Sequence, residues 1–133
     1  MTRTFAIALL CAAFITVATP AAAFEGKRLT TEAEFRDLVA DRDLTADRTI
    51  VSYSGDGQIE GETGDRKIKG MWLWAGKALC RTVTVGTKNL GLDCQAVFLI
   101  GDLVVLVRKE GLGAAFALRI RREGTDAGKI AFL

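Results

Sequence analysis

The chain has 133 residues, with 18 lysines and arginines against 16 aspartates and glutamates, so its formal net charge is only +2. A charge this close to zero gives no support to binding of nucleic acid through net charge. The sequence contains no histidine, which excludes Ser–His and Cys–His catalysis and argues against a zinc site, since two thiols alone cannot complete a tetrahedral shell.

The N-terminal segment has the pattern of a cleavable secretory signal peptide. Arg3 supplies a positive charge, residues 5–17 are apolar, and the alanines at 21–23 form a small-residue cleavage pattern. The apolar run is shorter than the roughly 20 residues that a membrane-spanning helix needs. We therefore expect cleavage before Phe24, a periplasmic or secreted location, and a single mature domain over residues 24–133.

A short helix is predicted next, over about residues 32–40. Thr31 and Glu34 have the spacing of a capping box, in which each side chain satisfies a backbone N–H near the start of a helix. Phe35 is followed by apolar residues three and four positions later, so one helical face is apolar. This stripe is too small to stand alone, and the helix is expected to plug or flank a sheet.

From Leu44 onward, strand-like runs alternate with glycine-rich turns. The runs cover residues 49–53, 58–62, 67–74, 79–85, 92–100, 103–109 and 115–121. Helices and strands do not alternate, which disfavours a parallel α/β sheet. The pattern predicts a mainly β (α+β) fold, with a short N-terminal helix followed by a seven- or eight-stranded antiparallel meander that forms a small barrel or sandwich.

Two cysteines remain after the predicted cleavage, Cys80 and Cys94. They fall in neighbouring strands joined by a turn at residues 86–91. An even count in an exported chain indicates a disulfide. The loop it closes has about 15 residues, for which the chain-entropy estimate is about 3 kcal/mol of stabilisation.

Trp72 and Trp74 share one face of a predicted strand. Two indoles in this arrangement could form a stacking platform for a flat ligand, or they could be the main aromatic contribution to the core. Together with Arg81 they are the candidate ligand contacts. They lead to the first hypothesis for function: a non-catalytic periplasmic binding or accessory module for a small apolar or flat ligand, or for an envelope protein.

Other motifs give weaker indications. Asp56, Glu60, Glu62 and Asp65 concentrate acid in one hairpin, which suggests either a carboxylate enzyme or the solvated face of an edge strand. The glycines at 111 and 113 do not form a dinucleotide fingerprint, because Phe116 stands where that pattern needs a small residue. No cofactor or metal is therefore predicted. A third possibility is an inhibitor of a secreted hydrolase, with an ordered N-terminal segment near Phe24.

Basic residues cluster towards the C-terminus, and charged residues interrupt several predicted strands. The basic set comprises Arg108, Lys109, Arg119, Arg121 and Arg122. Without the dense clusters of nucleic-acid or phospholipid sites, this pattern is typical of a solvated face, and no nucleic-acid partner is expected. A membrane barrel needs strands of about ten residues with an uninterrupted apolar outer face. Several strands here are interrupted by charged residues, Glu60, Lys67, Lys69 and Arg81, so membrane insertion is not expected.

The pattern Trp72-Leu73-Trp74, Gly76, Cys80-Arg81, Gly91 and Cys94-Gln95 resembles a group of small exported proteins of Gram-negative bacteria whose function is unassigned. The resemblance covers about residues 29–121 and implies a fold and a compartment. Members are often labelled dihydrodipicolinate reductase. The sequence does not support that label, because the enzyme family needs a full dinucleotide-binding unit and catalytic histidines, and this chain has neither.

Overall fold

Tight turns join most of the strands in residues 26–121, the part of the chain that the computed structural model describes. The strands are β1 (Lys27–Leu29), β2 (Asp43–Ala46), β3 (Thr49–Tyr53), β4 (Gln58–Thr63), β5 (Arg66–Ala75), β6 (Ala78–Val85), β7 (Lys88–Ile100), β8 (Leu103–Val107) and β9 (Ala115–Ile120). The helix α1 (Glu32–Leu38) lies between β1 and β2, and the short turn α2 (Arg108–Gly111) lies between β8 and β9. Lys109 and Glu110 in α2 have positive φ, so this segment is not a regular helix.

Strands β2 to β9 form a closed antiparallel barrel. Each pairs with the next along the chain, and β2 pairs with β9, so the eight strands complete a ring. Closure gives the backbone groups of the first and last strands a partner and removes the exposed edges of an open sheet. The predicted antiparallel fold is confirmed, and of its two forms the structure is the barrel. Strand β1 lies outside the ring and pairs with β7 through Val97–Leu99.

At two glycines the backbone of a neighbouring strand comes too close for any side chain. A Cβ atom at Gly70 would lie 2.1 Å from the carbonyl oxygen of Thr82, and one at Gly61 would lie 2.2 Å from that of Ile50. Neither distance is possible for a real side chain. These residues occupy adjacent inner positions of β4 and β5, where only glycine allows the neighbouring backbone to approach.

The helix α1 covers one end of the barrel, which we call the helix end. Phe35 is fully buried, and its ring centroid lies 4.9 Å from that of Trp72 and 5.9 Å from that of Tyr53. The expectation that the helix packs on a sheet through its apolar face is therefore met. Neither helix within residues 26–121 has the length and apolar character needed to cross a bilayer.

The start of α1 follows the capping-box prediction with one change. Thr31 Oγ1 accepts a hydrogen bond from the backbone N–H of Glu34, at 3.2 Å. The Glu34 carboxylate accepts from the backbone N–H of Thr30, at 3.3 Å, rather than from that of Thr31. The helix ends at Leu38, two residues earlier than expected, because the chain turns there towards β2.

The hairpin between β6 and β7 is tighter than the predicted six-residue turn. Val85 pairs directly with Lys88, so only two residues form the turn. A bulge then follows, since the register shifts by one residue between Thr84 and Thr82. Gly91 lies in this bulge with a φ of +74°. Glycines with positive φ occur in bulges as well as in turns, which is why the sequence pattern placed Gly91 in the predicted turn.

The disulfide Cys80–Cys94 joins β6 and β7 as predicted. The two residues are directly opposite each other in the register, and their sulfur atoms are 2.03 Å apart. Strands β1 and β2 were not predicted, because they are too short to show alternation. The strand predicted over 103–109 ends earlier, at Val107, and α2 follows it. The predicted signal peptide, Phe24 and Arg122 lie outside the described residues.

Candidate functional site

The two tryptophans belong to the core at the helix end. Trp72 is 5% exposed, contacts Phe35, and donates a hydrogen bond from Nε1 to the carbonyl oxygen of Ser54, at 2.9 Å. Trp74 is partly buried against the same core, and its Nε1 donates to the carbonyl oxygen of Gly76, at 2.8 Å. Neither indole lines either of the two cavities described below.

A cavity of about 280 Å³ occupies the other half of the barrel; we call it the apolar chamber. Its walls include Ala46, Val51, Ile59, Ile68, Val83 and Leu118. Several of these side chains lie near the turns at 47–48, 64–65 and 86–87, which form the end of the barrel opposite α1. An apolar cavity with few polar groups is typical of a small-molecule site.

Arg81 is the charged group of the chamber. It is only 8% exposed, and its guanidinium lies 5.9 Å from the centroid of the Phe116 ring, within range of a cation–π contact. Its Nε has no hydrogen-bond partner among the protein atoms of residues 26–121, and no carboxylate in that range lies within ion-pair distance of it. Buried charges are normally paired, so this arginine is an exception that requires an explanation.

Asp93 would be the natural partner of Arg81, because the two are directly opposite each other on β6 and β7. Instead, its carboxylate accepts hydrogen bonds from Gln95 Nε2 at 2.9 Å, Arg108 Nε at 3.1 Å and the backbone N–H of Lys109 at 3.1 Å. Burial raises the pKa of Asp93, but these three bonds outweigh it and the net effect is a lowered pKa. Asp93 is thus ionised and directed towards α2.

A second cavity, of about 570 Å³, adjoins the apolar chamber; we call it the basic slot. It is lined by Arg81, Lys88, Asn89, Leu90, Asp93, Arg108 and Phe116. It lies where β7 pairs with β6 through Lys88–Gln95, whereas the pairing of β7 with β8 begins only at Ala96. Both cavities are lined by Arg81, Leu90 and Phe116. The basic slot is therefore continuous with the apolar chamber and connects it to the surface on this side of the barrel.

Tyr53 contributes a second polar group to the chamber. Burial raises the pKa of its phenol, and the positive charge of Arg81 opposes that rise only in part. The phenol is therefore neutral at physiological pH and keeps its O–H as a hydrogen-bond donor. Its ring also contacts Phe35, so Tyr53 separates the aromatic core at the helix end from the chamber.

The acidic hairpin lies on the outer face of the barrel. Glu60 and Glu62 are exposed on β4, opposite Lys69 and Lys67 of β5, and Glu62 forms an ion pair with Lys67. They line an outer groove of about 490 Å³, while Asp65 lies in the following turn. Alternating exposed charges with opposite-charge partners across the strand are typical of a solvated sheet face.

Of the three candidate ligand contacts, Arg81 is the one that the structure places at these cavities. Three further lining residues were not among the predicted ligand contacts: Tyr53, Asp93 and Arg108. A signal for Asp93 was present, because a disulfide between Cys80 and Cys94 fixes the register of their strands. It follows that Arg81 and Asp93 must also be opposite each other, on the inner face.

No family model, curated protein or solved structure matches this chain. What the site does must therefore be inferred from its own residues.

Proposed function

We propose that this chain is an exported, non-catalytic binding protein whose barrel holds a small apolar ligand in the apolar chamber. The observation that carries the proposal is the chamber itself, about 280 Å³ of space bounded by apolar side chains inside a barrel whose other half is packed. The chamber opens to the surface on one side, and a cavity with an almost wholly apolar lining and few polar groups is typical of a small-molecule site.

The volume limits the size of the ligand. A protein cavity of about 150 Å³ lined by apolar side chains holds one benzene molecule. The apolar chamber is about twice as large, which allows roughly eight to twelve carbon atoms. A fused pair of rings or an aliphatic chain of that size fits the estimate.

The polar groups of the chamber favour binding over catalysis. They include a neutral phenol from Tyr53 and a guanidinium from Arg81. Neither is suited to act as a general base near neutral pH, because the phenol holds its proton and the guanidinium carries no free lone pair.

Export is supported by the disulfide. Bonds of this kind form and persist in oxidising compartments such as the periplasm and are rare in the bacterial cytosol. Cys80 and Cys94 are bonded in this structure, and the N-terminal pattern resembles a signal peptide. The proposal includes removal of residues 1–23, so N-terminal sequencing of the native protein should begin at Phe24.

Binding in the chamber is tested with a neutral ligand and with a substitution that fills the chamber. Ala46 ends β2 and lines the chamber, whereas Ala75 ends β5 at the helix end, away from it. We expect 1-octanol to bind the oxidised protein in isothermal titration calorimetry. Ala46→Phe should weaken this binding at least tenfold because the new ring occupies the chamber, and the matched control Ala75→Phe should leave it unchanged.

Thermal melting of both variants checks that they remain folded. Absence of 1-octanol binding up to its solubility limit, or equal binding to Ala46→Phe and the unaltered protein, would overturn the proposed function.

A second candidate, contact with an envelope protein, is favoured by one surface feature. Met71, Leu73 and Leu92 are 67%, 59% and 72% exposed on the outer face of β5 and β7, around the Cys80–Cys94 disulfide. Clustered exposed apolar side chains often mark interaction sites. Mass spectrometry of the protein purified from its own cell envelope separates the candidates, because a bound small molecule should be lost in Ala46→Phe. A bound protein should be lost when all three apolar residues are changed to serine.

A further inference from the structure

The buried charge of Arg81 bears on the charge of the ligand, whereas the volume of the chamber limits only its size. A guanidinium that is nine-tenths buried normally faces a carboxylate, because removing its charge from water without a partner costs several kcal/mol. In residues 26–121 no carboxylate lies within ion-pair distance of Arg81, and its Nε is unpartnered. The site therefore favours an anion that the protein itself does not supply.

The surroundings of Arg81 keep it free for such an anion. Asp93, directly opposite on β7, is held by Gln95, Arg108 and the backbone of Lys109. These bonds turn its carboxylate towards α2. The same three bonds hold Asp93 away from the guanidinium, so Arg108 acts indirectly as a positioning residue for Arg81.

The basic slot has the charge needed to receive an anion. Its lining has three cationic residues, Arg81, Lys88 and Arg108, against one carboxylate, that of Asp93. Because Asp93 pairs with Arg108, the positive charges of Arg81 and Lys88 remain in excess. Arg81 belongs to both the slot and the apolar chamber. A molecule with its apolar part in the chamber would therefore place a polar group at its end against Arg81.

The geometry of a guanidinium narrows the choice of anion. Its planar N–H groups match the two oxygens of a carboxylate and form two parallel hydrogen bonds, which a point charge such as an ammonium cannot do. The Arg81 Nε is itself buried among protein atoms, so we assign that pair of donors to the terminal N–H groups of the guanidinium.

Building on the proposed function, we propose that the ligand is a monocarboxylate with an aliphatic or aromatic body of roughly eight to twelve carbon atoms. Its body occupies the apolar chamber and its carboxylate pairs with Arg81 at the inner side of the basic slot. Phe116 and Leu90, which line both cavities, contact the ligand where its apolar and charged parts meet.

Three eight-carbon ligands that differ only in their end group test this proposal. Octanoate, 1-octanol and octylammonium are titrated into the oxidised protein at pH 7 by calorimetry. Octanoate should bind about tenfold or more tightly than 1-octanol, since hydrogen bonds between charged groups in a partly buried site have this strength. Octylammonium should bind most weakly, because Arg81 repels it.

Variants of Arg81 show whether this residue provides the preference. In Arg81→Met the affinity for octanoate should fall to that for 1-octanol, while 1-octanol binding stays the same or improves. Arg81→Lys keeps the charge but loses the planar pair of donors, and should retain only part of the preference. Arg42, an exposed arginine at the start of β2 and at the helix end, supplies the matched control Arg42→Gln, which should bind all three ligands normally.

The outcomes separate the two proposals. If 1-octanol binds and octanoate binds no more tightly, the chamber stands and the carboxylate proposal is overturned. If octanoate keeps its advantage in a folded Arg81→Met protein, Arg81 is not the anion anchor. If none of the three binds, the proposed function fails as well. Should the Arg81 variants not fold, the ranking of the three ligands on the unaltered protein decides.

Discussion

Arg81 and Asp93 occupy opposite positions on neighbouring strands, yet the protein treats their charges differently. Asp93 is surrounded by three hydrogen-bond donors that hold its pKa below the ordinary range. Arg81 has an aromatic ring at one side and an unpartnered Nε. A protein interior tolerates a buried charge when it is paired, and the contrast between these two residues is the basis of the proposed anion site.

Glu34 shows how a surface charge contributes to the attachment of α1. Its carboxylate forms an ion pair with Lys27 Nζ at 2.9 Å and accepts a hydrogen bond from the backbone N–H of Thr30. These contacts lower the pKa of Glu34 from its ordinary value of 4.5 to about 2, with Lys27 as the main cause. Because its folded-state pKa is depressed, its stabilising effect is complete above pH 4.5 and is lost as the pH falls towards 2.

The corresponding prediction uses Glu34→Gln. The variant should be less stable than the unaltered protein at pH 6, and the difference should shrink between pH 4.5 and pH 2 as Glu34 takes up a proton. Urea unfolding at several pH values measures this. A double-mutant cycle with Lys27→Met should show a coupling that disappears over the same pH range; a coupling that does not change with pH would contradict this assignment.

At the level of elements, α1 depends on the barrel for its stability. A helix of seven residues is far too short to persist alone in water, since nucleation is unfavourable and few hydrogen bonds offset it. Its N-terminal cap and its acidic first turn fix where it begins, while the burial of Phe35 fixes where it docks. The helix is therefore a cover whose position is set by one aromatic side chain.

Phe35→Ala should test this role. Removing a fully buried ring from a cluster with Tyr53, Trp72 and Trp74 is expected to cost about 3–5 kcal/mol of unfolding free energy. Tryptophan emission should also shift to longer wavelength as water reaches the indoles. Leu112→Ala is the control, since Leu112 is 91% exposed and its removal should change stability by less than about 0.5 kcal/mol. A loss below about 1 kcal/mol in Phe35→Ala would show that α1 is not held by this ring.

At the level of the whole molecule, the ring of strands is closed, but the packing inside it is uneven. The helix end is filled by the aromatic cluster, and the opposite half contains the apolar chamber. The wall beside the chamber is also where β7 changes partner from β6 to β8 and β1. Packing and strand pairing thus both weaken at the place where we propose that the ligand binds.

The disulfide stabilises the strand pair that borders this region. Cys80 and Cys94 are separated by 14 positions in the sequence, and closing a loop of about 15 residues is expected to contribute about 3 kcal/mol by restricting the unfolded chain. The double variant Cys80→Ala/Cys94→Ala should lose about this amount in urea unfolding. Reduction of the unaltered protein should lower its stability similarly, and adding reductant to the double variant should have no effect. Equal stability of the oxidised and reduced proteins would contradict the prediction.

Much of the architecture was readable from the sequence. The alternation of side chains and the glycine-rich turns predicted most strands of the barrel, the spacing of Thr31, Glu34 and Phe35 predicted α1, and the two cysteines predicted their bond. These features are local or depend on the register of one hairpin, so the spacing of residues in the sequence is enough to predict them. The strands β1 and β2 were missed because three or four residues are too few to show a period.

The site itself was decided by tertiary structure. From the sequence, Trp72 and Trp74 could be either core residues or a stacking platform for a ligand. The contact of Phe35 with both rings places them in the core. Likewise, no local pattern predicts that Asp93 accepts hydrogen bonds from Gln95, Arg108 and Lys109. These bonds leave Arg81 without a carboxylate partner beside an apolar space. A cavity is the volume that side chains from many distant strands fail to fill. It therefore arises from closure of the barrel, whereas the strands that enclose it follow from local pattern.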